Sequence, residues 1–249
     1  MDSPSQNKSH HHSNHPSQFG KGGTKVSQSS DQKALTQAIN KASILYHTAP
    51  PQFRWYAWFK YRLDPCYFSV ASQIPPNSLT VDLGTGLGML PVVLALLGES
   101  RQVLGIEWDE KKAKVAQQVS GALDGVCIQE GNALTCDIPS CDVITLVDML
   151  HYYSPAIQDA LLARCVHALN PGGRLLVREA DRTRSGFARW TRWVEGQSTR
   201  LGWNKGPSVF FRAPASLHEC LTSLGCDVHF EPVAGPLHPG NILIIAQKK

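Results

Sequence analysis

The chain has 249 residues, 24 Lys and Arg against 20 Asp and Glu, and a net charge of +4. That length suits one α/β domain with additions, large enough to bury most of its apolar surface. The mild charge lacks the dense basic stripe of a nucleic-acid binder, and the longest apolar run, Met89 to Leu97, is about half of what a membrane span needs.

Met1 to Ser30 is rich in Ser, His, Gln, Asn, Lys and Gly, with Met1, Phe19 and Val26 its sizeable apolar residues. Such a segment buries too little surface to offset its ordering entropy and reads as a disordered tail over 1–30. It holds no apolar core of a signal peptide. Its histidines, His10, His11, His12 and His15, read as polar low complexity and not as a metal site. Seven cysteines without a Cys-x-x-Cys pair indicate reduced thiols, no zinc, and a cytoplasmic location.

Residues 31–77 read as a helical cover. Asp31 opens a helix with Leu35, Ala38, Ile39, Ala42 and Leu45 at helical spacing, and Pro50-Pro51 ends it. A second helix follows over Phe53 to Leu63. Its Trp55, Trp58, Phe59 and Arg62 share one face, expected to pack on the core, with Tyr56 or Arg62 as a possible pocket wall.

From residue 78 to 249 strand and helix patterns alternate, which implies a mostly parallel sheet covered on both faces. Leu79–Leu83 is a strand, Gly84, Gly86 and Gly88 alternate in a tight loop, and Met89–Leu97 is a buried helix. Such a loop bares backbone N–H groups and lets a ligand approach the main chain. Val103–Glu107 is a second strand whose terminal acid lies where a carboxylate grips a ribose. A helix over Lys111–Val119, a strand over Gly125–Gln129 and the turn Glu130-Gly131-Asn132-Ala133 come next. A fourth strand, Asp142–Val147, runs into Asp148-Met149-Leu150-His151-Tyr152-Tyr153, and Leu169 to Gly173 forms a turn before a fifth, Arg174–Glu179. Residues 181–213 show no strand pattern. They carry seven Lys and Arg against Asp181 and Glu195, with Phe187, Trp190, Trp193, Trp203, Phe210 and Phe211 interleaved. That composition suits a lid, an acidic partner or peripheral membrane contact. A helix over Ser216–Leu224 and strands over Asp227–Val233 and Asn241–Ala246 close the chain.

The spacing Asp82-x-Gly84-x-Gly86-x-Gly88, the acid Glu107, the Asn132 turn and the Leu169–Gly173 turn, in that order, resemble class I S-adenosylmethionine-dependent methyltransferases. The resemblance implies a Rossmann-like, seven-stranded, mostly parallel sheet with an antiparallel last strand. It implies S-adenosylmethionine as cofactor, held by Asp82, Gly84, Thr85, Gly86, Gly88, Glu107, Trp108, Asn132, Ala133 and Asp148. Asn132 stands where the family commonly carries Asp against the adenine amino group; its amide oxygen can still accept that bond. His151 is the first candidate for a general base, because imidazole titrates near neutrality. Asp148 would orient it or meet the cofactor's amino group, Tyr152 or Tyr153 would shape the acceptor pocket, and Glu179, Asp181 and His238 are reserves. The absence of Asn/Asp-Pro-Pro-Tyr after the fourth strand argues against amino-group methylation of DNA or protein. A narrower similarity, through Trp55 to Pro65, Asp148 to Tyr152 and the basic aromatic segment, is to a bacterial subgroup associated with polyene and lipid-like metabolism. The implied activity is methylation of a small-molecule or lipid-like acceptor, at oxygen first and carbon next, with the acceptor free or on a carrier protein. A cofactor-binding protein without catalysis and an aminopropyl transferase are the competing classes; the basic segment disfavours a polyamine.

Overall fold

The structure is a computed structural model that describes residues 24–98, 100–181, 209–233, 235 and 240–249. The expectations for the tail up to residue 23, for residues 182–208 of the basic aromatic segment and for His238 lie outside the described residues.

Among the described residues three α-helices precede the sheet: α1 (Thr24–Leu45), α2 (Pro51–Leu63) and α3 (Cys66–Ala71). Helix α1 begins before Asp31, so part of the stretch expected to be a disordered tail is helical. Residues 24–30 carry no Pro or Gly to stop propagation backward from the packed turns that follow. Pro50 and Pro51 then start α2, where a missing N–H costs nothing.

The sheet comprises β1 (Leu79–Leu83), β2 (Gln102–Glu107), β3 (Val126–Glu130), β4 (Cys141–Val147), β5 (Leu169–Ala180), β6 (Cys226–Pro232) and β7 (Asn241–Lys248). Its order is β3-β2-β1-β4-β5-β7-β6. Pairings from β3 to β5 are parallel, and β7 runs antiparallel to both β5 and β6. The turn expected before the fifth strand is absorbed into β5 as an irregular stretch, with the register shifting between Cys141 and Val143.

Period-2 alternation sends side chains to opposite faces. Val143, Leu176, Leu243 and Ile245 face a core shared with α1, α2, α3, α4 (Met89–Leu97) and α5 (Glu110–Ser120). Ile144, Leu146, Leu175 and Val177 face a second core with α6 (Pro155–Ala168) and α7 (Pro214–Ser223). Helix α4 is sandwiched between sheet and cover, which is why its sequence is apolar all round. Its Pro91 falls in the first turn, where it removes no helical hydrogen bond.

Strand order reverses between β1 and β4. In open α/β sheets the crevice beyond the carboxyl ends at such a switch is where ligands bind.

Candidate active site

The glycine loop leaves β1 at that crevice. Gly84, Gly86 and Gly88 all have positive φ, at 72°, 60° and 73°. Two of them need glycine for different reasons. A Cβ on Gly88 would lie 2.9 Å from Ala116 Cβ, so this glycine lets the loop press onto α5. A Cβ on Gly86 would meet nothing within 4 Å, so this backbone faces open space. Asp82 is buried and braces the loop. Its carboxylate accepts from Thr85 Oγ1 at 2.6 Å and from Thr145 Oγ1 at 2.5 Å. Burial pushes its carboxyl up to about 6, against the pull of those two hydroxyls.

Glu107 ends β2 and is buried. Its Oε2 accepts from Gly86 N at 2.7 Å and its Oε1 from Asp109 N at 2.9 Å. A carboxylate has about four lone-pair sites, so two remain for a diol. Trp108 beside it is 54% exposed. After β3, Asn132 Oδ1 accepts from Leu134 N at 2.9 Å, and Arg164 of α6 donates to the carbonyls of Ala133 at 2.8 Å and Cys136 at 2.5 Å. The post-β3 turn is therefore fixed from below by an arginine that sequence reasoning did not single out. Open backbone at Gly86, a carboxylate one bond from it and an exposed indole fit an adenosine-bearing group.

Across the switch, β4 runs into Asp148 and a single 3-10 turn, Leu150–Tyr152. His151 Nδ1 lies 2.8 Å from Glu179 Oε2, and His151 N donates to Glu179 Oε1 at 3.3 Å. Glu179, a reserve in the sequence reading, thus holds the imidazole. The His151 ring stacks on Phe211, with centroids 4.7 Å apart and planes 16° apart, and Tyr152 lies 4.3 Å away. Phe210 N donates to His151 O at 2.7 Å, and Gln158 of α6 donates to Phe210 O at 2.8 Å.

Asp148, expected to orient His151 or meet the cofactor, sits in an ion cluster. It has a positive φ of 54°, unusual for a non-glycine. Its Oδ2 accepts from Arg178 Nη1, and from Lys60 Nζ at 3.2 Å. Arg178 Nη2 donates to both oxygens of Asp64, at 3.0 and 3.1 Å, and Lys60 reaches Asp64 at 2.6 Å. Arg178, Lys60 and Asp64 are buried. Burial opposes every charge here, yet the pairs win. Asp148, Tyr56 and Asp64 hold Lys60 charged above the ordinary lysine range, while Lys60 and Arg178 hold Asp64 below the usual carboxylate range. Lys60 and Asp64 come from the cover, which is also tied to the glycine loop: Tyr46 and Tyr61 donate to the carbonyls of Leu87 and Met89, at 2.9 and 2.8 Å. The visible hint was the i,i+4 spacing of Lys60 and Asp64 and an arginine inside an apolar strand.

The outer face of α2 departs from expectation. Trp55, Trp58, Phe59 and Arg62 do not pack on the core; they are exposed, and Ala57, Lys60 and Tyr61 are the buried side, with Tyr56 packed against the core beside them. Cys127 is exposed, Cys66, Cys141, Cys165 and Cys226 are buried, and all seven thiols are free. Among the described residues no group of three His, Cys, Asp or Glu is placed to hold a metal.

A methyltransferase-domain family model matches residues 80–173. The ubiquinone biosynthesis O-methyltransferase of Xylella fastidiosa is 31% identical over 192 residues, 74% of this chain and 73% of that one. This chain belongs to the S-adenosylmethionine-dependent methyltransferases. The carboxy-S-adenosyl-L-methionine synthase of Alteromonas mediterranea is 29% identical over 122 residues, 46% of this chain and 50% of that one. The match thus spans about half the length of several curated relatives. Among solved methyltransferase structures, the magnesium protoporphyrin IX methyltransferase of Synechocystis PCC 6803 with bound S-adenosylhomocysteine has a TM-score of 0.58 at 16% identity, covering 92% of this chain and 90% of that one. An O-methyltransferase family protein of Burkholderia thailandensis has a TM-score of 0.62 at 16% identity, over 90% and 70%. At those identities the likeness is one of fold: the methyltransferase sheet, with its antiparallel β7 and its helical N-terminal region.

Proposed function

We propose that this chain methylates a hydroxyl of a small-molecule or lipid-like acceptor. Bound S-adenosylmethionine would supply the electrophilic methyl group on its sulfonium. Gly84, Gly86 and Gly88 would give it access to the main chain, held in shape by Asp82 and Thr85. Glu107 would accept from the ribose hydroxyls, with Trp108, Asn132 and Ala133 around the adenine. Asp148 would meet the cofactor's amino group in this reading.

The observation that carries the proposal is the His151–Glu179 pair at the switch point. With Nδ1–H donated to Glu179, His151 Nε2 would be the atom that accepts the acceptor's proton during transfer. Glu179 fixes the tautomer and steadies the imidazolium that forms. The ubiquinone biosynthesis O-methyltransferase relatives agree with oxygen as the acceptor atom. The rings of Phe211 and Tyr152 beside His151 favour a flat, unsaturated acceptor, which keeps carbon methylation of an aromatic or polyene precursor as the second reading. The composition of residues 181–213 supports contact with the acceptor, its carrier or a membrane, and the free thiols support a cytoplasmic site.

Titration calorimetry with S-adenosylmethionine, followed by a screen for S-adenosylhomocysteine release across phenols, acyl acids and carrier-bound substrates, tests the reading. Cofactor binding without release on any acceptor would leave a binding protein; no binding at all would remove the assignment.

A further inference from the structure

Helix α2 separates two kinds of surface. On its inner side Tyr61 hydrogen-bonds the glycine-loop helix and Lys60 reaches Asp148. On its outer side Trp55, Trp58 and Phe59 are 64%, 40% and 45% exposed, with Arg54 and Arg62 exposed among them. Trp55 and Trp58 meet edge to face, with centroids 5.8 Å apart, and the Arg62 guanidinium lies 5.0 Å from the Trp58 ring. A single exposed apolar residue is ordinary, but two indoles and a phenyl within two turns form a patch that calls for a partner.

Charge identifies the partner. From Gln32 to Leu63 the chain holds no Asp or Glu. Lys33, Lys41, Arg54 and Arg62 are exposed there, while Lys60 is buried and paired. The aromatic patch therefore has cations and no anions in its neighbourhood along the chain. Two copies meeting through it would bring like charges together. An anionic bilayer matches both features, because indole rings settle at headgroup depth and arginines reach lipid phosphates.

We propose that the outer face of α2 docks this protein on an anionic phospholipid surface, with Trp55, Trp58 and Phe59 in the headgroup layer and Arg54 and Arg62 on the phosphates. Since Lys60 projects from the opposite side of the same helix to Asp148, docking would bring the switch-point crevice to about one helix diameter, ~10 Å, from the lipid.

The test is co-sedimentation of the full chain with phosphatidylglycerol–phosphatidylcholine vesicles and with phosphatidylcholine vesicles alone. The wild type should bind the anionic vesicles preferentially. Trp55→Ser with Trp58→Ser should weaken binding about tenfold or more, and Arg54→Glu with Arg62→Glu by about tenfold, an effect that disappears at high salt. These side chains are exposed, so circular dichroism and the melting temperature should stay at wild-type values. Ile157→Ser, an exposed apolar site on α6, should bind as the wild type does. Absence of binding by the wild type would overturn the proposal, as would undiminished binding by the double tryptophan variant. A lipid-independent dimer that this variant abolishes would also overturn it, by making the face a self-association surface.

Discussion

Between β1 and β3 the ligand edge is made largely of backbone, whereas between β4 and β5 it is made of side chains brought from far apart. The first half consists of three positive-φ glycines and an acid whose oxygens receive main-chain N–H groups 21 and 2 residues away in sequence. The second half joins Lys60 and Asp64 to Asp148 and Arg178, and His151 to Glu179, over separations of up to 114 residues. A backbone-built site is written in local spacing, here in positive-φ positions that suit glycine. A site built from side chains is written in pairs, each member of which looks ordinary alone.

The sharpest break in the first half is Gly86→Val. A branched residue is strained at φ 60° and would fill the open space, so S-adenosylmethionine binding should fall below detection in calorimetry while the fold persists. Retained binding would mean that the ligand does not approach the loop there. In the second half, His151→Ala should lower kcat by about 10²–10⁴-fold and leave cofactor affinity near the wild-type value. Equal turnover would show that transfer needs no base at this position. Arg178→Met separates structure from chemistry: it leaves buried Asp64 with Lys60 as its charged partner and the Cys66 N–H as its other hydrogen bond, and should cost about 3–5 kcal/mol in denaturant unfolding. A loss under about 1 kcal/mol would show that the cluster is more solvated than its burial indicates.

The smallest effect is a pH dependence. Asp82 titrates at about 6 in the folded protein against an ordinary value of 3.8, so the native state keeps a proton that the unfolded chain has released. Its contribution to stability is therefore greatest below about pH 4 and declines as pH rises toward 6. The decline is at most about 3 kcal/mol, at roughly 1.4 kcal/mol per pH unit. Subtracting the pH profile of Asp82→Asn isolates it. Parallel profiles would place Asp82 in contact with more solvent than the structure shows.

The same contrast governs what could be read before the structure. The strands β1 to β5, the glycine loop and the antiparallel closing pair were legible, because apolar runs bounded by turn residues are local signals. Helix α6 has a start signal in Ser154-Pro155 but a weak helical pattern, because its apolar residues are interrupted by Gln158, Asp159 and Arg164; Gln158 and Arg164 hold other parts of the site. The orientation of α2 was illegible for the opposite reason. Phe53, Trp55, Tyr56, Ala57, Trp58, Phe59 and Tyr61 surround the helix with apolar side chains, and of its cations Arg54 and Arg62 face outward while Lys60, a residue whose type argues for solvent, is buried. Glu179 was noticed only as a strand-end acid, since nothing local ties it to a histidine 28 residues earlier.

The cluster around Arg178 also sets an order of events during synthesis. Lys60, in the last turn of α2, and Asp64, the residue that caps it, are an i,i+4 pair and can meet as soon as α2 emerges. The guanidinium that completes Asp64 is translated 114 residues later, on the order of ten seconds at ordinary elongation rates. Until then a carboxylate destined for burial has Lys60 as its counter-charge and lacks the guanidinium that grips both of its oxygens. The N-terminal helices are made first, and the ion cluster that ties them to the sheet is completed only once β5 has arrived.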